Sequence, residues 1–146
     1  MPPHLNPWFL SAAACNAIAA LLHIAIIFGG PAWYRFFGAG EEMARMAERG
    51  SLQPHIITFA IAAILAVWAL YALTAAGMGF SQPLPLQSPI LFAIATIYLL
   101  RAMLYIPFLF ITHQPVGAFA WWSSAICLMY AVCHIAGILT SSSAPK

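Results

Sequence analysis

Four uninterrupted apolar segments, each long enough to cross a lipid bilayer, constrain the fold of this chain more than any other feature. They occupy residues 8–29, 56–78, 90–112 and 118–140. A helix needs about 20 apolar residues to cross ~30 Å of hydrocarbon. Only helices and closed barrels satisfy their backbone groups in lipid, and these segments are continuous rather than alternating in polarity. The sequence therefore predicts an all-α fold, an integral membrane four-helix bundle forming one domain over residues 1–146.

The small number of charged residues supports the same fold class. Hydrophobic residues make up 64% of the 146 residues and charged residues 5%, whereas a soluble domain has about 25% charged residues. The net charge of +2 is scattered without a basic stripe, which argues against nucleic acid as a partner. No Lys or Arg precedes the first apolar segment, so we expect a retained helix rather than a cleaved signal peptide.

The first connection between apolar segments carries a short helix pattern. Within residues 40–49, Glu41 and Arg45 form an i, i+4 pair with the acid first, and Met43 lies on the opposite, apolar face together with Met46 and Ala47. We expect a short amphipathic helix in the first loop that ends at Gly50. Two placements are open: the helix lies flat on the membrane surface, or it is an ordinary solvated connector.

The distribution of positive charges predicts the orientation in the membrane. The side with the first and third loops holds Arg35, Arg45 and Arg49, whereas the other side holds only Lys146. Positive residues accumulate in cytoplasmic loops. The sequence thus predicts a multi-pass protein of the cell inner membrane with both termini in the periplasm.

Arg101 is the residue most suggestive of a function. It lies near the middle of the third apolar segment, where a charge costs at least ~2.5–3.5 kcal/mol, and no Asp or Glu lies in any of the four segments. Tyr98 and Tyr105 share its helix face at i, i+3, i+7 spacing. Pro107 frees the carbonyl of Met103, one turn away. Two interpretations follow: a site for an anionic or lipid-headgroup ligand, or a structural arginine that ties helices together through carbonyls.

Two histidines are further candidates for a ligand site. His23 lies on the first segment on one face with Asn16, and His134 lies on the fourth with Tyr130. Such faces point into a bundle because polar side chains avoid lipid. The two histidines differ in depth by ~14 Å at 1.5 Å per residue, so one haem cannot bridge them.

No metal site or cofactor is predicted from the remaining residues. The cysteines show no CxxC or zinc-type spacing, and the histidines show no HExxH motif. We therefore interpret the thiols as small packing residues within the apolar segments. These are Cys15, Cys127 and Cys133.

Small residues recur at every fourth position of the first apolar segment. Two such rows are present, Ser11, Cys15 and Ala19, and Ala12, Asn16 and Ala20. Rows of this kind allow close approach of another helix. The partner is either another helix of this chain or a second copy.

Two stretches carry a resemblance to known proteins. The first runs from His23 through Phe28-Gly29-Gly30-Pro31-x-Trp33-Tyr34-Arg35-Phe36-Phe37-Gly38-Ala39-Gly40-Glu41, and the second is Tyr98-Leu99-Leu100-Arg101. In these the chain resembles small bacterial four-span inner-membrane proteins of unassigned function. In general build it is also similar to the DoxX-like four-helix membrane proteins. The resemblance implies a bacterial membrane location and no particular activity.

The favoured function is that of a small accessory or interaction protein without enzymatic activity. The expected partners are the lipid bilayer and either a second copy or another membrane protein. The alternative is a carrier or membrane enzyme that holds an anionic or lipid-like ligand at Arg101, with Tyr98, Tyr105 and His23 or His134. A proton-coupled multidrug carrier is less favoured because no intramembrane carboxylate is present to cycle the proton.

Overall fold

The computed structural model describes residues 5–79 and 82–142, which form five helices and no strand. Four are long and apolar enough to cross a membrane. The helices are α1 (Pro7–Phe36), α2 (Glu41–Glu48), α3 (Gln53–Ala75), α4 (Gln87–Ile111) and α5 (Ala118–Ser142). The predicted all-α fold with four membrane-spanning helices and a short loop helix is confirmed.

The first long helix differs from the prediction at its loop end. Its direction breaks at Gly30, whose backbone has φ 67° and ψ −154°, but helical residues resume from Pro31 to Phe36. Glycine tolerates this positive φ because it has no Cβ, and proline is favoured at the first position of a new helical segment. The Gly-Gly-Pro sequence therefore interrupts the helix where the predicted span ends, and a second helical segment follows across the kink.

Large apolar side chains are exposed along the long helices. Phe28 on α1, Phe59 on α3 and Phe92 on α4 expose 86%, 60% and 66% of their surfaces. In water such an extent of exposed apolar surface is rare, but lipid covers it without cost. The exposed side chains thus have the chemistry expected of a multi-pass membrane protein.

One compact unit comprises the described residues up to Asn16 and those from Val67 onward. Helices α4 and α5 pack against each other within it. The start of α1 contacts α5: a Cβ added at Gly137 would lie only 2.6 Å from Cδ1 of the Phe9 ring. Asn6 Nδ2 also donates a hydrogen bond of 3.2 Å to the Gly137 carbonyl. A glycine at residue 137 is therefore required for the aromatic ring to approach α5.

A second compact unit comprises Ala17–Ala66, and in it α2 packs on the end of α1. Ala44 of α2 is fully buried against Ile26 and Tyr34, and Met43 and Ala47 pack around them. The apolar face of α2 thus contacts this chain itself. This packing adds a contact that neither predicted placement of the loop helix included.

Ion pairs on the outer face hold α2 in place. Arg35 Nε and Nη2 donate to the two carboxylate oxygens of Glu41 at 2.8 and 2.9 Å, and its Nη1 donates to Glu48 at 2.7 Å. The predicted pair of Glu41 with Arg45 also forms, at 3.2 Å. The hydrogen bonds from Arg35 lower the pKa of Glu41 to about 2 and also lower the pKa of Glu48.

Candidate functional site

Arg101 lies near the middle of α4. The midpoint of this 25-residue helix is Leu99, so Arg101 is displaced by about 3 Å along the axis at 1.5 Å per residue. The nearer helix end, at Ile111, is about 15 Å away on the same scale, farther than an arginine side chain reaches. The guanidinium charge therefore has to be accommodated at hydrocarbon depth.

The guanidinium group contacts one hydroxyl and one aromatic ring. Its Nη2 donates a hydrogen bond of 3.3 Å to Ser123 Oγ on α5. Its central carbon lies 3.5 Å from the centre of the Tyr105 ring, one turn along α4. Cation–π contacts of this kind contribute about 0.5–2 kcal/mol, with the larger values in desolvated sites. The ring and the hydroxyl thus hold the guanidinium in a defined plane.

One guanidinium nitrogen is buried without a partner. Arg101 Nη1 is inaccessible and makes no hydrogen bond to the described residues, and the same is true of Ser124 Oγ, which follows Ser123 on α5. Leaving a buried donor unpaired costs about 1–3 kcal/mol, and more for a charged group. Two consecutive serines of α5 therefore differ: Ser123 accepts a hydrogen bond from Arg101, whereas the hydroxyl of Ser124 has no partner among the described residues.

Arg101 lies at the border between the buried and exposed faces of α4. Tyr98, three residues earlier, is only 7% exposed. Ile97 and Leu104 lie on the other side of Arg101 and are 48% and 56% exposed. Because side chains three and four residues apart are neighbours on a helix, this border gives the guanidinium an apolar flank that faces lipid.

A second polar cluster joins α1, α4 and α5. The Tyr98 hydroxyl donates a hydrogen bond of 2.6 Å to Asn16 Oδ1. Asn16 Nδ2 donates to the Ala12 carbonyl at 2.8 Å and lies 3.4 Å from His134 Nε2. Asn16 and His134 are both fully buried. We call Tyr98, Asn16 and His134 the polar triad.

The hydrogen bonds of the polar triad define the tautomer of His134. His134 Nδ1 lies 2.9 Å from the Tyr130 carbonyl, which can only accept, so Nδ1 carries the proton. Nε2 is then the unprotonated nitrogen and accepts the second N–H of Asn16. Both ring nitrogens of His134 are thus engaged, and binding a metal there would require breaking one of these hydrogen bonds.

Aromatic rings surround the polar triad. The Tyr98 ring makes edge-to-face contacts with Trp68 at 5.4 Å and with Tyr130 at 5.2 Å between ring centres. The His134 ring centre lies 5.8 Å from that of Tyr98. Edge-to-face pairs add about 0.5–1.5 kcal/mol each. Packing and hydrogen bonding together connect α1, α4 and α5 within the first compact unit.

The five predicted site residues fall into three groups. Arg101 contacts Tyr105, whereas Tyr98 and His134 belong to the polar triad. His23 belongs to the second compact unit, where its Nδ1 lies 2.8 Å from the Ala19 carbonyl of its own helix. Tyr98 shares a helix face with Arg101, but its hydroxyl donates to Asn16.

Sequence reasoning left three site residues out of the predicted set. Asn16 is the centre of the polar triad, and its signal was an amide on the same helix face as His23. Ser123 shares a face with His134, which was a signal for its inward position. Ser124 carried no signal, because one serine beside another on an apolar helix does not indicate which of them is buried.

The second compact unit contains its own pair of unpartnered buried atoms. Tyr34 Oη and His55 Nδ1 are both inaccessible and make no hydrogen bond to the described residues. Their rings pack edge to face with centres 6.1 Å apart. No group of three His, Cys, Asp or Glu side chains suited to a metal ion occurs in the described part of the chain.

Comparison with known proteins gives no relative for this chain. No protein-family model, curated protein or solved structure matches it. The site is therefore interpreted from its own geometry.

Proposed function

We propose that this small multi-pass membrane protein binds an anionic, lipid-like ligand at Arg101 and acts as a non-enzymatic accessory protein. The observation that carries the proposal is the buried Arg101 Nη1, which has no hydrogen-bond partner in the described residues. An anionic oxygen would supply the missing acceptor and balance the charge.

The energetics of the site favour an external anion. A mid-membrane arginine costs at least ~2.5–3.5 kcal/mol, and the observed partners are one hydroxyl at 3.3 Å and one aromatic ring. A purely structural arginine would be expected to use its donors on backbone carbonyls or hydroxyls. A hydrogen bond to a charged group contributes about 1.5–3 kcal/mol, so a bound anion would offset much of the cost.

The groups around Arg101 suit binding rather than bond-making chemistry. The guanidinium contacts the Ser123 hydroxyl and the Tyr105 ring. A serine needs an adjacent base to become a nucleophile. The histidine of α5, His134, has both nitrogens engaged in the polar triad. We therefore propose a binding role, exercised with a second copy or with another membrane protein.

Native mass spectrometry of the detergent-purified chain would test this function. The protein is incubated with equal amounts of phosphatidylglycerol, oleic acid and phosphatidylcholine, and the retained molecules are counted. We expect wild type to retain an anionic species that Arg101→Leu loses, with Arg101→Lys intermediate because it keeps the charge but lacks the planar fork. Arg49→Leu is the matched control, since it removes the same charge from an exposed loop position.

The opposite result would identify Arg101 as a structural residue. In that case Arg101→Leu would lower stability in detergent by leaving acceptors unpaired, and the retained molecules would be the same as in wild type. Folding of each variant is checked by helical circular dichroism before the binding measurement.

We also propose that the protein resides in a bacterial inner membrane with both termini in the periplasm. The support is the excess of Arg35, Arg45 and Arg49 on one side over Lys146 on the other. Reporter fusions at the two ends test this. Periplasm-active reporters at both termini are expected. Cytoplasm-active reporters at both termini would reverse the orientation, and reporters on opposite sides would contradict four spans.

A further inference from the structure

The geometry of the Arg101 site points to a more specific ligand class, and this inference rests on the proposed function. We infer that the ligand is an amphiphile with a terminal carboxylic acid, of the long-chain fatty acid type, rather than a phospholipid headgroup. Four features support a fatty acid as the ligand: the direction of the free donor of Arg101, the number of charges, the depth of the site and the buried hydroxyl of Ser124.

The free donor of the guanidinium points along its plane. Tyr105 covers a face of the group at 3.5 Å, and Nη2 is engaged with Ser123. The N–H groups of Nη1 lie in the guanidinium plane. An acceptor must therefore approach from the edge, which suits a planar carboxylate.

The single positive charge of Arg101 matches a ligand with one negative charge. Arg101 is the single charged residue within α4, and the described residues of α3 and α5 contain no Asp, Glu, Lys or Arg. A monoanion gives a neutral pair in the hydrocarbon. A phosphomonoester, which carries about −1.5 to −2 at neutral pH, would leave excess negative charge where charge is costly.

The depth of the site separates a carboxylate from a phosphodiester. Arg101 lies about 15 Å from the nearer end of α4 at 1.5 Å per residue. The phosphate of a phospholipid lies between its glycerol and its polar headgroup, so bringing it to Arg101 would carry these groups into hydrocarbon. A fatty acid carries its acidic group at the end of the chain, with no polar atoms beyond it.

We also assign to the ligand site the hydroxyl of Ser124, the residue that follows Ser123 on α5, where it would serve either protonation state of a carboxyl group. It is buried and makes no hydrogen bond to the described residues, and a hydroxyl can both donate and accept. It can donate to a carboxylate oxygen, or accept the O–H of the neutral acid while Nη1 donates to the acid's carbonyl oxygen. The acyl chain would lie in lipid along Ile97 and Leu104, which are 48% and 56% exposed.

Competition between matched probes tests the ligand class. The purified full chain is titrated with oleic acid, oleyl alcohol and phosphatidylglycerol in nanodiscs of phosphatidylcholine, and bound molecules are counted by native mass spectrometry. We expect oleic acid to bind wild type at least about tenfold more tightly than oleyl alcohol, as a charge-assisted hydrogen bond at Arg101 requires. Arg101→Leu should lose this preference.

A serine variant tests the role assigned to the free hydroxyl. Ser124→Ala should weaken oleic acid binding by about threefold to tenfold and leave oleyl alcohol binding unchanged. Ser11→Ala is the matched control, because its hydroxyl binds only the Pro7 carbonyl of its own helix. These variants keep Arg101, so they remain informative where Arg101→Leu folds poorly.

The results separate this inference from the proposed function. If phosphatidylglycerol shows an Arg101-dependent preference and oleic acid does not, the fatty acid assignment is wrong while anion binding stands. If the alcohol binds as tightly as the acid, the acyl chain alone is recognised, and the assignment is also wrong. If neither anion depends on Arg101, both the inference and the proposed function fail.

Discussion

Two tyrosine-to-phenylalanine substitutions remove the same atom, but one is expected to lower stability and the other to leave it unchanged or raise it. The Tyr98 hydroxyl donates to Asn16 Oδ1 at 2.6 Å, whereas the Tyr34 hydroxyl is buried and has no hydrogen-bond partner in the described part of the chain. Both side chains are buried, at 7% and 0% exposure. The local hydrogen-bonding state is therefore the main difference between the two sites.

The loss of stability expected in Tyr98→Phe follows from the Asn16 oxygen that the substitution would leave without this hydrogen bond. In Tyr98→Phe the oxygen of the fully buried Asn16 loses the hydrogen bond from the tyrosine. An unpaired buried acceptor costs about 1–3 kcal/mol, and measured interhelical hydrogen bonds in membranes average about 0.6 and reach about 1.7 kcal/mol. We therefore expect a loss of about 1–1.5 kcal/mol in the free energy of unfolding.

The effect at Tyr34 has the opposite sign. Tyr34→Phe removes a buried hydroxyl that makes no hydrogen bond within residues 5–79 and 82–142, so the folded state loses an unfavourable group. Burying an unpaired hydroxyl costs about 1–3 kcal/mol on mutational scales, and part of this cost is recovered. We expect unchanged stability or a gain of up to about 1 kcal/mol.

Equilibrium unfolding of the purified chain in mixed micelles, titrated with sodium dodecyl sulfate, measures both variants. Loss of helical circular dichroism and the change in tryptophan fluorescence give the unfolding free energy, and Trp68 reports directly because its ring contacts Tyr98. A double-mutant cycle with Asn16→Leu isolates the hydrogen bond. The reasoning is refuted if Tyr98→Phe is as stable as wild type, or if both variants lose the same stability.

Two further predictions concern the packing of α1 and the docking of α2. In Gly137→Ala the new methyl group would lie about 2.6 Å from the Phe9 ring, so we expect overpacking to lower the free energy of unfolding by about 1–3 kcal/mol. The double variant with Phe9→Leu should recover part of this loss in the same unfolding assay. Additive losses in the double variant would contradict the prediction. The pKa of Glu41 is lowered to about 2, so the contribution of its ion pairs is fully present above pH 4.5 and is lost as the pH falls through about 2. Carbon-13 NMR titration of the Glu41 carboxyl should show this low midpoint, Arg35→Gln should move it toward 4.5, and an unchanged midpoint in that variant would show that Arg35 is not the cause.

The helices could be predicted from sequence because their signal is local. Apolar length alone located four spans to within a few residues, apart from the first, which continues to Phe36. The short helix predicted at residues 40–49 is observed at Glu41–Glu48. The helix is interrupted at Gly30 as predicted, but the helical segment after it was not predicted, because the contacts of that segment decide whether a Gly-Pro step ends a helix or kinks it.

The site was predicted only in part because its contacts join distant segments. The stacking of Arg101 on Tyr105 is an i, i+4 contact and follows from helix geometry. Asn16 and His134 are 118 residues apart in the sequence, and no local pattern pairs them. Tyr98 is rotated by about 60° from Arg101 around the helix, which is enough to direct its hydroxyl to Asn16 instead of the guanidinium.

The contrast between the polar triad and Arg101 supports the choice of the arginine as the site. Both lie in the first compact unit, and both place polar groups in apolar surroundings. In the triad, the Tyr98 hydroxyl, both Asn16 amide hydrogens and both His134 nitrogens have partners. An external ligand would have to displace one of these hydrogen bonds and would gain little. Among the described residues Arg101 Nη1 has no acceptor, so a ligand that displaces the side chains covering this nitrogen gains a charge-assisted hydrogen bond without breaking another. Affinity for an anion is therefore expected at Arg101, and the triad is expected to contribute to stability.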